Sequence, residues 1–236
     1  MNQTRMKHKI NNWRYNWRKK PFVTYILLAI MIVMYLLMTI NGGSENPFVL
    51  MLFGAKVNQL IVIGQWWRLI TPAFLHIGLS HILFNGIIVY YLGAQLESII
   101  GHFRYFLLFL FSALLGNAAS FAYNASISAG ASTAIFGFFA STLVLAKFYP
   151  YQSGIQHLSR NYMVLMAINI IWGFLSPAID NAGHIGGLIG GYLIMYVLSA
   201  PNVKNHSIQE RIMYGVFYLV ALMVCIAVGV FRTRLF

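Results

Sequence analysis

Charged residues are scarce in this sequence. Only 8% of its 236 residues are charged and 59% are hydrophobic, whereas a soluble domain carries about a quarter charged residues. This composition excludes an ordinary soluble domain. It predicts an all-α polytopic membrane protein.

Acidic residues and cysteine are rarer still. The four acids are Glu45, Glu97, Asp180 and Glu210, and the HExxH pattern of zinc proteases is absent. The single cysteine, Cys225, excludes a disulfide within the chain and a cysteine-based zinc site. We therefore expect no metal and no cofactor.

The net charge of +12 would suggest nucleic acid as a partner in a soluble protein. Here seven of the sixteen Lys/Arg precede Pro21, which is typical of a cytoplasmic end that faces anionic lipid. Residues 1–20 are therefore interpreted as a basic segment, either an interfacial helix with Trp13 and Trp17 inward or a flexible tail, and not as a cleavable signal peptide. The lipid bilayer, not nucleic acid, is the expected partner.

Seven apolar runs are long enough to be spanning helices, which need roughly 20 residues each. They lie at about 22–40, 77–97, 104–122, 131–148, 161–177, 184–200 and 212–231. The fourth to sixth runs are short and rich in Gly, Ala and Ser, as expected of helices packed inside a bundle.

The distribution of Lys and Arg predicts the orientation. With the N-terminus inside, the inner segments hold the seven leading charges and Arg104, Lys147, Arg160, Lys204 and Arg211. The outer segments hold Lys56, Arg68, Arg232 and Arg234. The N-terminal ends of the even-numbered helices then share the outer leaflet. Those ends carry His76, His81, Asn85, Ser132 and His184.

Ser132 and His184 are the candidate catalytic residues. A serine in a membrane helix is usually a packing residue, but an ionisable group there is costly and tends to be functional. A neutral histidine is a suitable general base for a serine hydroxyl. Glycines at 183, 187 and 191 and at 186 and 190 predict a bare helix face for close approach, which ordinary helix association would also explain.

His81 and Asn85 share a helix face, and Asn85 is a donor suited to a developing oxyanion. Glu97 is interpreted as structural, with Arg104 as its expected partner. Asp180 or Asn181 is expected to cap the sixth helix.

Together these motifs resemble those of the rhomboid intramembrane serine proteases, over about residues 21–200. The matching segments are Trp67-Arg68, His76-x4-His81-x3-Asn85, Gly130-x-Ser132 and Gly183-His184-x-Gly186-Gly187. The resemblance implies a six-helix bundle, here with one additional C-terminal helix in 201–236. It also implies a Ser132–His184 dyad that cleaves transmembrane segments of membrane proteins near the outer face of the plasma membrane.

The resemblance further implies an oxyanion hole made by His81, Asn85 and the Ser132 backbone N–H. His76, Gly130, Trp67 and Arg68 would support the site. Two residues depart from the family pattern. Thr133 stands where many bacterial members have glycine, which bears on the shape of the substrate pocket. Phe136 stands where tyrosine is frequent, and either ring can pack on His184.

Two other functions stay open at this point. A catalytically inactive relative would bind membrane segments without cutting them, since one fold hosts different functions; the retained Ser132 and His184 argue against it. A small transporter would need intramembrane charges along a path, and the predicted helices have almost none.

Overall fold

Helices account for about four fifths of the described chain. The structure is a computed structural model and describes residues 20–176, 179–203 and 206–235. Within these ranges, strand-like pairing is limited to one isolated antiparallel bridge between Lys56 and Ser128. The proposed interfacial helix with Trp13 and Trp17 lies outside the described residues.

The helices follow the apolar runs of the sequence. They are α1 (Phe22–Ile40), α2 (Pro47–Phe53), α3 (Asn58–Val62), α4 (Gly78–Ile88), α5 (Ala94–Ile100), α6 (His102–Tyr123), α7 (Ser132–Phe148), α8 (Ser153–Leu175), α9 (Asn181–Leu198) and α10 (Ile208–Leu235). A π-helical turn, Val89–Gly93, joins α4 to α5, so that the two form one apolar rod over Gly78–Ile100. Short 3₁₀ helices lie at Trp66–Leu69 and Thr71–Phe74.

The fold class expected from the sequence is confirmed, with two differences in detail. Five described helices are long and apolar enough to cross a membrane: α1, the α4–α5 rod, α6, α8 and α10. The other two predicted spans are the 17-residue α7 and the 18-residue, glycine-rich α9. Helix α8 begins at Ser153 rather than near 161. Its first turns are helical but polar, so a prediction based on apolar runs does not include them.

Helix α6 is the centre of the bundle. Of its most apolar 18-residue window, 72% is buried inside the protein, compared with 22% for α1 and 11% for α10. Helices α1 and α10 are more hydropathic than α6 although they are less buried, but α8 is less hydropathic than α6 and only 17% buried. Hydropathy therefore does not by itself give burial in the protein. Helices α7 and α9 pack against α6 and complete the core.

Glycines allow the backbones of α7 and α9 to touch. A Cβ at Gly187 would lie 2.0 Å from the carbonyl oxygen of Thr133, and one at Gly191 would lie 2.2 Å from Cα of Gly137. On its next face α9 meets α6, where a Cβ at Gly186 would lie 2.4 Å from Cβ of Ala119. The glycine face of α9 predicted from the sequence therefore packs closely against two helices, α6 and α7.

Glu97 joins α5 to the start of α1. Its fully buried carboxylate accepts hydrogen bonds from Val23 N (2.9 Å), Thr24 N (2.8 Å) and Thr24 Oγ1 (2.7 Å), and it contacts His102 Nδ1. The carboxylate thus satisfies N–H groups at the N-terminus of α1, where a negative charge is favourable.

The expected pairing of Glu97 with Arg104 is wrong. Arg104 donates instead to the carbonyl oxygens of Leu198 (3.2 Å) and Ile100 (3.5 Å). The structural role of Glu97 agrees with the sequence interpretation, but besides His102 its partners come from a helix that precedes it by more than 70 residues.

Helix α10 is attached to α6 at several levels. Tyr218 Oη donates to the carbonyl oxygen of Phe111 (2.9 Å), and Arg232 Nη1 donates to that of Ala122 (3.1 Å). Between them, Gly229 allows the ring of Phe121 to approach the α10 backbone. The additional C-terminal helix is therefore packed against the core.

The contact between α7 and α9 is expected to be sensitive to one methyl group. Gly191→Ala should destabilise the protein by about 1–3 kcal/mol, because overpacking a close backbone contact forces the helices apart. Gly215→Ala is the matched control, since its Cβ would meet only Val197 Cγ2 at 3.8 Å. Thermal unfolding in detergent measures both. Equal melting temperatures for the two variants would contradict this packing.

Candidate active site

A cavity of about 760 Å³ collects polar side chains that are distant in sequence. Its lining includes His81 and Asn85 from α4, Ser132 from α7 and His184 from α9. These are four of the five residues that the predicted topology places at one depth. The fifth, His76, is fully buried beside them, with its ring centroid 5.3 Å from that of His81.

Gly130 shapes the backbone that leads to Ser132. Its φ of +141° is rarely adopted by residues with a side chain. A Cβ at this position would also lie 2.8 Å from His81 Nε2. The Gly130 N–H donates to the carbonyl oxygen of Pro72 (2.9 Å), which holds this turn against the preceding loop.

Ser132 is the first residue of α7, so its backbone N–H belongs to the group of N–H groups that a helix start leaves without intrahelical partners. The neighbouring N–H, on Ala131, donates to His76 Nε2 at 3.4 Å. His76 therefore fixes the residue before the serine. The side chain and N–H of Ser132 lie at the positive end of the α7 dipole.

His184 lies in the first turn of α9, which Asp180 caps. The Asp180 carboxylate accepts from Gly183 N at 3.0 Å and also from Ser120 Oγ. The cap predicted from the sequence is confirmed. The carboxylate is thus engaged with α6 and with the helix end, and it makes no hydrogen bond to the His184 ring.

Phe136 orients the His184 imidazole. The two rings stack with centroids 4.2 Å apart and planes 15° apart. Because Phe136 is one turn after Ser132 in α7, this contact holds the imidazole beside the helix that carries the serine. His184 Nδ1 is buried and has no hydrogen-bond partner among the described residues. Likewise, no hydrogen bond joins Ser132 to His184 in this conformation.

Asn85 is almost fully buried on the wall of the cavity. Its Nδ2 donates to the carbonyl oxygen of His81 at 2.9 Å, one turn earlier in α4. His81 Nδ1 accepts from the N–H of Ile77 at 3.4 Å, which leaves Nε2 as the ring nitrogen on the Gly130 side. Two side chains with donor capacity thus lie on the α4 side of the cavity that contains Ser132.

The Trp67-Arg68 pair does not line the cavity. Arg68 Nη1 donates to the carbonyl oxygens of Met51 and Ala55, both at 2.8 Å, and its Nε donates to Gln65 Oε1 at 2.7 Å. Arg68 therefore ties together the loop that contains α2 and α3. Trp67 is 55% exposed.

Thr133 also lies outside the cavity lining. It is buried between helices, where a Cβ at Gly116 would come within 2.6 Å of Thr133 Cβ and one at Gly183 within 3.2 Å of its Cγ2. The threonine thus affects the packing of α6, α7 and α9 rather than the wall of the pocket.

Lys56 was not singled out by sequence, yet it connects the first loop to the segment that precedes Ser132 in the chain. Its backbone pairs with Ser128 in both directions (2.9 and 3.2 Å), and its Nζ donates to the carbonyl oxygen of Asn124 at 2.6 Å. Burial lowers the pKa of Lys56 to about 8, an effect that the nearby negative charge of Asp180 partly opposes. A single lysine in a loop carries no sequence signal for this role.

Asn169 on α8 does line the cavity, and it too was not singled out by sequence. The signal was present, because it is the one polar side chain between Met163 and Leu175 apart from the indole of Trp172. Phe84, Ile88, Ile135 and Phe139 supply apolar lining between these polar groups.

The family model and the relatives that match this chain all indicate the same family. The family model of the rhomboid domain matches residues 63–201. The rhomboid protease GluP of Bacillus subtilis is 40% identical over 210 residues, which cover 89% of this chain and 40% of GluP. YdcA of the same species is 31% identical over 182 residues, covering 76% of this chain and 89% of YdcA.

A fungal protein, rhomboid-type serine protease 2 of Emericella nidulans, is 35% identical over 175 residues, covering 72% of this chain and 33% of its own length. The chain therefore spans less than half of two of these three relatives and most of the third. The matched domain covers Ser132, His184 and every other polar residue of the cavity. The chain belongs to the rhomboid family.

Proposed function

We propose that this protein is an intramembrane serine endopeptidase in which Ser132 is the nucleophile and His184 the general base. The observation that carries the proposal is the shared cavity. Ser132 and His184 both line it, and the His184 ring is stacked on Phe136, one turn from the serine on the same helix. Relatives named as rhomboid proteases support the same reaction.

In the proposed reaction, Ser132 Oγ attacks the carbonyl carbon of a substrate peptide bond while its proton passes to His184. The tetrahedral intermediate then collapses, the C–N bond breaks, and the proton on His184 goes to the leaving amine. Water, deprotonated by His184, hydrolyses the acyl-enzyme and restores Ser132. The Ser132–His184 hydrogen bond would then form in the substrate complex, since catalytic hydrogen bonds often tighten only with substrate present.

The developing oxyanion would be stabilised by the Ser132 N–H together with Asn85 and His81. The N–H lies at the start of α7, where the helix dipole favours negative charge. Asn85 donates to a carbonyl in its own helix but retains a second N–H for a ligand. Preorganised donors in a cavity shielded from water are among the strongest catalytic devices.

The proposed substrates are transmembrane segments of membrane proteins. The proposed orientation has a cytoplasmic N-terminus and a cavity towards the outer face of the plasma membrane. Its basis is the distribution of basic residues, with twelve on the inner segments and four on the outer ones. We propose that residues 21–200 form the catalytic unit and that residues 201–236 add a linker and α10.

The nucleophile is tested by an activity-based fluorophosphonate probe and by cleavage of a transmembrane reporter. Ser132→Ala should abolish both signals, and His184→Ala should abolish cleavage. The double variant should be no worse than either single one, because the two residues act as a unit. Thr133→Ser, one residue from the nucleophile but outside the cavity, is the control. Substantial turnover by Ser132→Ala would refute the serine mechanism, whereas a wild type with neither labelling nor cleavage would favour an inactive relative.

The oxyanion hole is tested by removing one donor at a time. Asn85→Ala should lower kcat by about 10²–10³, the usual cost of losing such a donor, with a smaller effect on KM. His81→Ala should be similarly slow and should also disturb Gly130, whose backbone packs on the His81 ring. Steady-state cleavage measures both variants. If both cleave at the wild-type rate, the hole is formed by other groups.

Asp180 distinguishes a dyad from a triad. Asp180→Asn should retain most activity, because the asparagine oxygen still accepts from Gly183 N, and the amide nitrogen in the place of Oδ2 can donate to Ser120 Oγ. In a serine protease triad the corresponding change costs about 10⁴ in kcat. Asp180→Ala is the companion variant and should lose stability through the missing cap. A collapse of kcat by four orders of magnitude in the asparagine variant, with normal thermal stability, would indicate a triad.

A further inference from the structure

Asn169 is an isolated amide in the apolar half of α8. The first three turns of this helix are polar, but from Met163 to Leu175 the sequence is otherwise composed of apolar residues, one glycine and Trp172. Polar side chains within a membrane span are costly and tend to be functional. The position of Asn169 therefore calls for a partner.

The hydrogen bonds of Asn169 are incomplete within the protein. Its Nδ2 donates to the carbonyl oxygen of Leu165 at 2.8 Å, one turn earlier in α8. No described residue donates to its Oδ1, and its second N–H has no acceptor among them. The side chain lines the same cavity as Ser132 and His184, so these free groups lie on the wall of the candidate active site.

An amide that fastens α8 to a neighbouring helix would be the ordinary explanation. That role is filled elsewhere on α8, where Tyr162 Oη receives a hydrogen bond from Gln95 of α5 at 3.3 Å. Only 17% of the most apolar window of α8 is buried. Asn169 thus borders the cavity on a loosely packed helix, without a described contact that would make it a helix–helix connection.

The remaining partner is the substrate, and its chemistry can be specified. A transmembrane helix satisfies its backbone N–H and C=O groups internally. Once part of the segment unwinds for attack, those groups need partners in a place where lipid supplies none. The carboxamide of Asn169 offers one acceptor and one free donor, which is complementary to an extended peptide backbone.

We propose that Asn169 binds a backbone peptide group of the unwound substrate, with its Oδ1 accepting a substrate N–H. This inference rests on the proposed protease function and adds a residue that favours extended over helical substrate. Because a backbone contact is independent of side-chain identity, Asn169 contributes to the selection of helices that unwind easily rather than to the reading of a particular residue.

The test is a double-substitution cycle between the enzyme and a synthetic transmembrane reporter peptide. Backbone amides around the cleavage site are replaced one at a time by esters, which removes one N–H at each step. In the wild type, one ester position should lower kcat/KM by about two- to ten-fold, the usual worth of one hydrogen bond. In Asn169→Leu the all-amide reporter should already be slower by a similar factor, and that ester should have no further effect.

Asn161→Leu is the matched control, because it makes the same change in the polar part of α8 and Asn161 does not line the cavity. Its ester profile should match that of the wild type. Thermal unfolding checks that both variants are folded. The proposal is overturned if Asn169→Leu and the wild type respond alike at every ester position. Absence of fluorophosphonate labelling and cleavage in the wild type would instead refute the protease function itself.

Discussion

The structure depends on the direct backbone contact between α7 and α9. Carbonyl oxygens and Cα atoms of one helix occupy the space where side chains of the other would be, at Gly187 against Thr133 and at Gly191 against Gly137. Contact at this distance is favourable in a membrane because dispersion and close packing, not the hydrophobic effect, drive helix association there. It places the first turns of both helices side by side, and those turns carry Ser132 and His184.

The buried polar groups of the site cost little free energy because most of them have a defined hydrogen-bond partner. Asp180 caps α9 and accepts a hydrogen bond from Ser120 Oγ. His76 accepts a hydrogen bond from the N–H of Ala131, and Arg68 donates to loop carbonyl oxygens. Two residues of the cavity wall have polar groups without partners in the described chain: His184, through its buried Nδ1, and Asn169, whose side chain is exposed. Buried His76 Nδ1 and Thr133 Oγ1, behind the lining, also lack one there. A substrate in the cavity can reach the first two groups and not the others.

The site is held from the loop side as well as from within the bundle. Lys56 bridges the first loop to Ser128 and Asn124, and Pro72 accepts the Gly130 N–H. These contacts hold the turn before α7 against the loop, and His76 holds the same turn through its hydrogen bond with the Ala131 N–H. A nucleophile at the start of a helix has a free N–H and a favourable dipole, but its position is only as well defined as this preceding turn.

The sequence alone determined the helical membrane class, the positions of the long helices to within a few residues except for the start of α8, and the candidate residues Ser132, His184, His81 and Asn85. Apolar runs and glycine spacing are local patterns, and each is read without knowing the fold. Tertiary structure decided the partners. Glu97 binds the start of α1 and not Arg104, Thr133 packs between helices and not in the pocket, and Lys56 and Asn169 join the site. Such pairings depend on which helix faces meet, and long-range contacts leave no local trace in an apolar sequence.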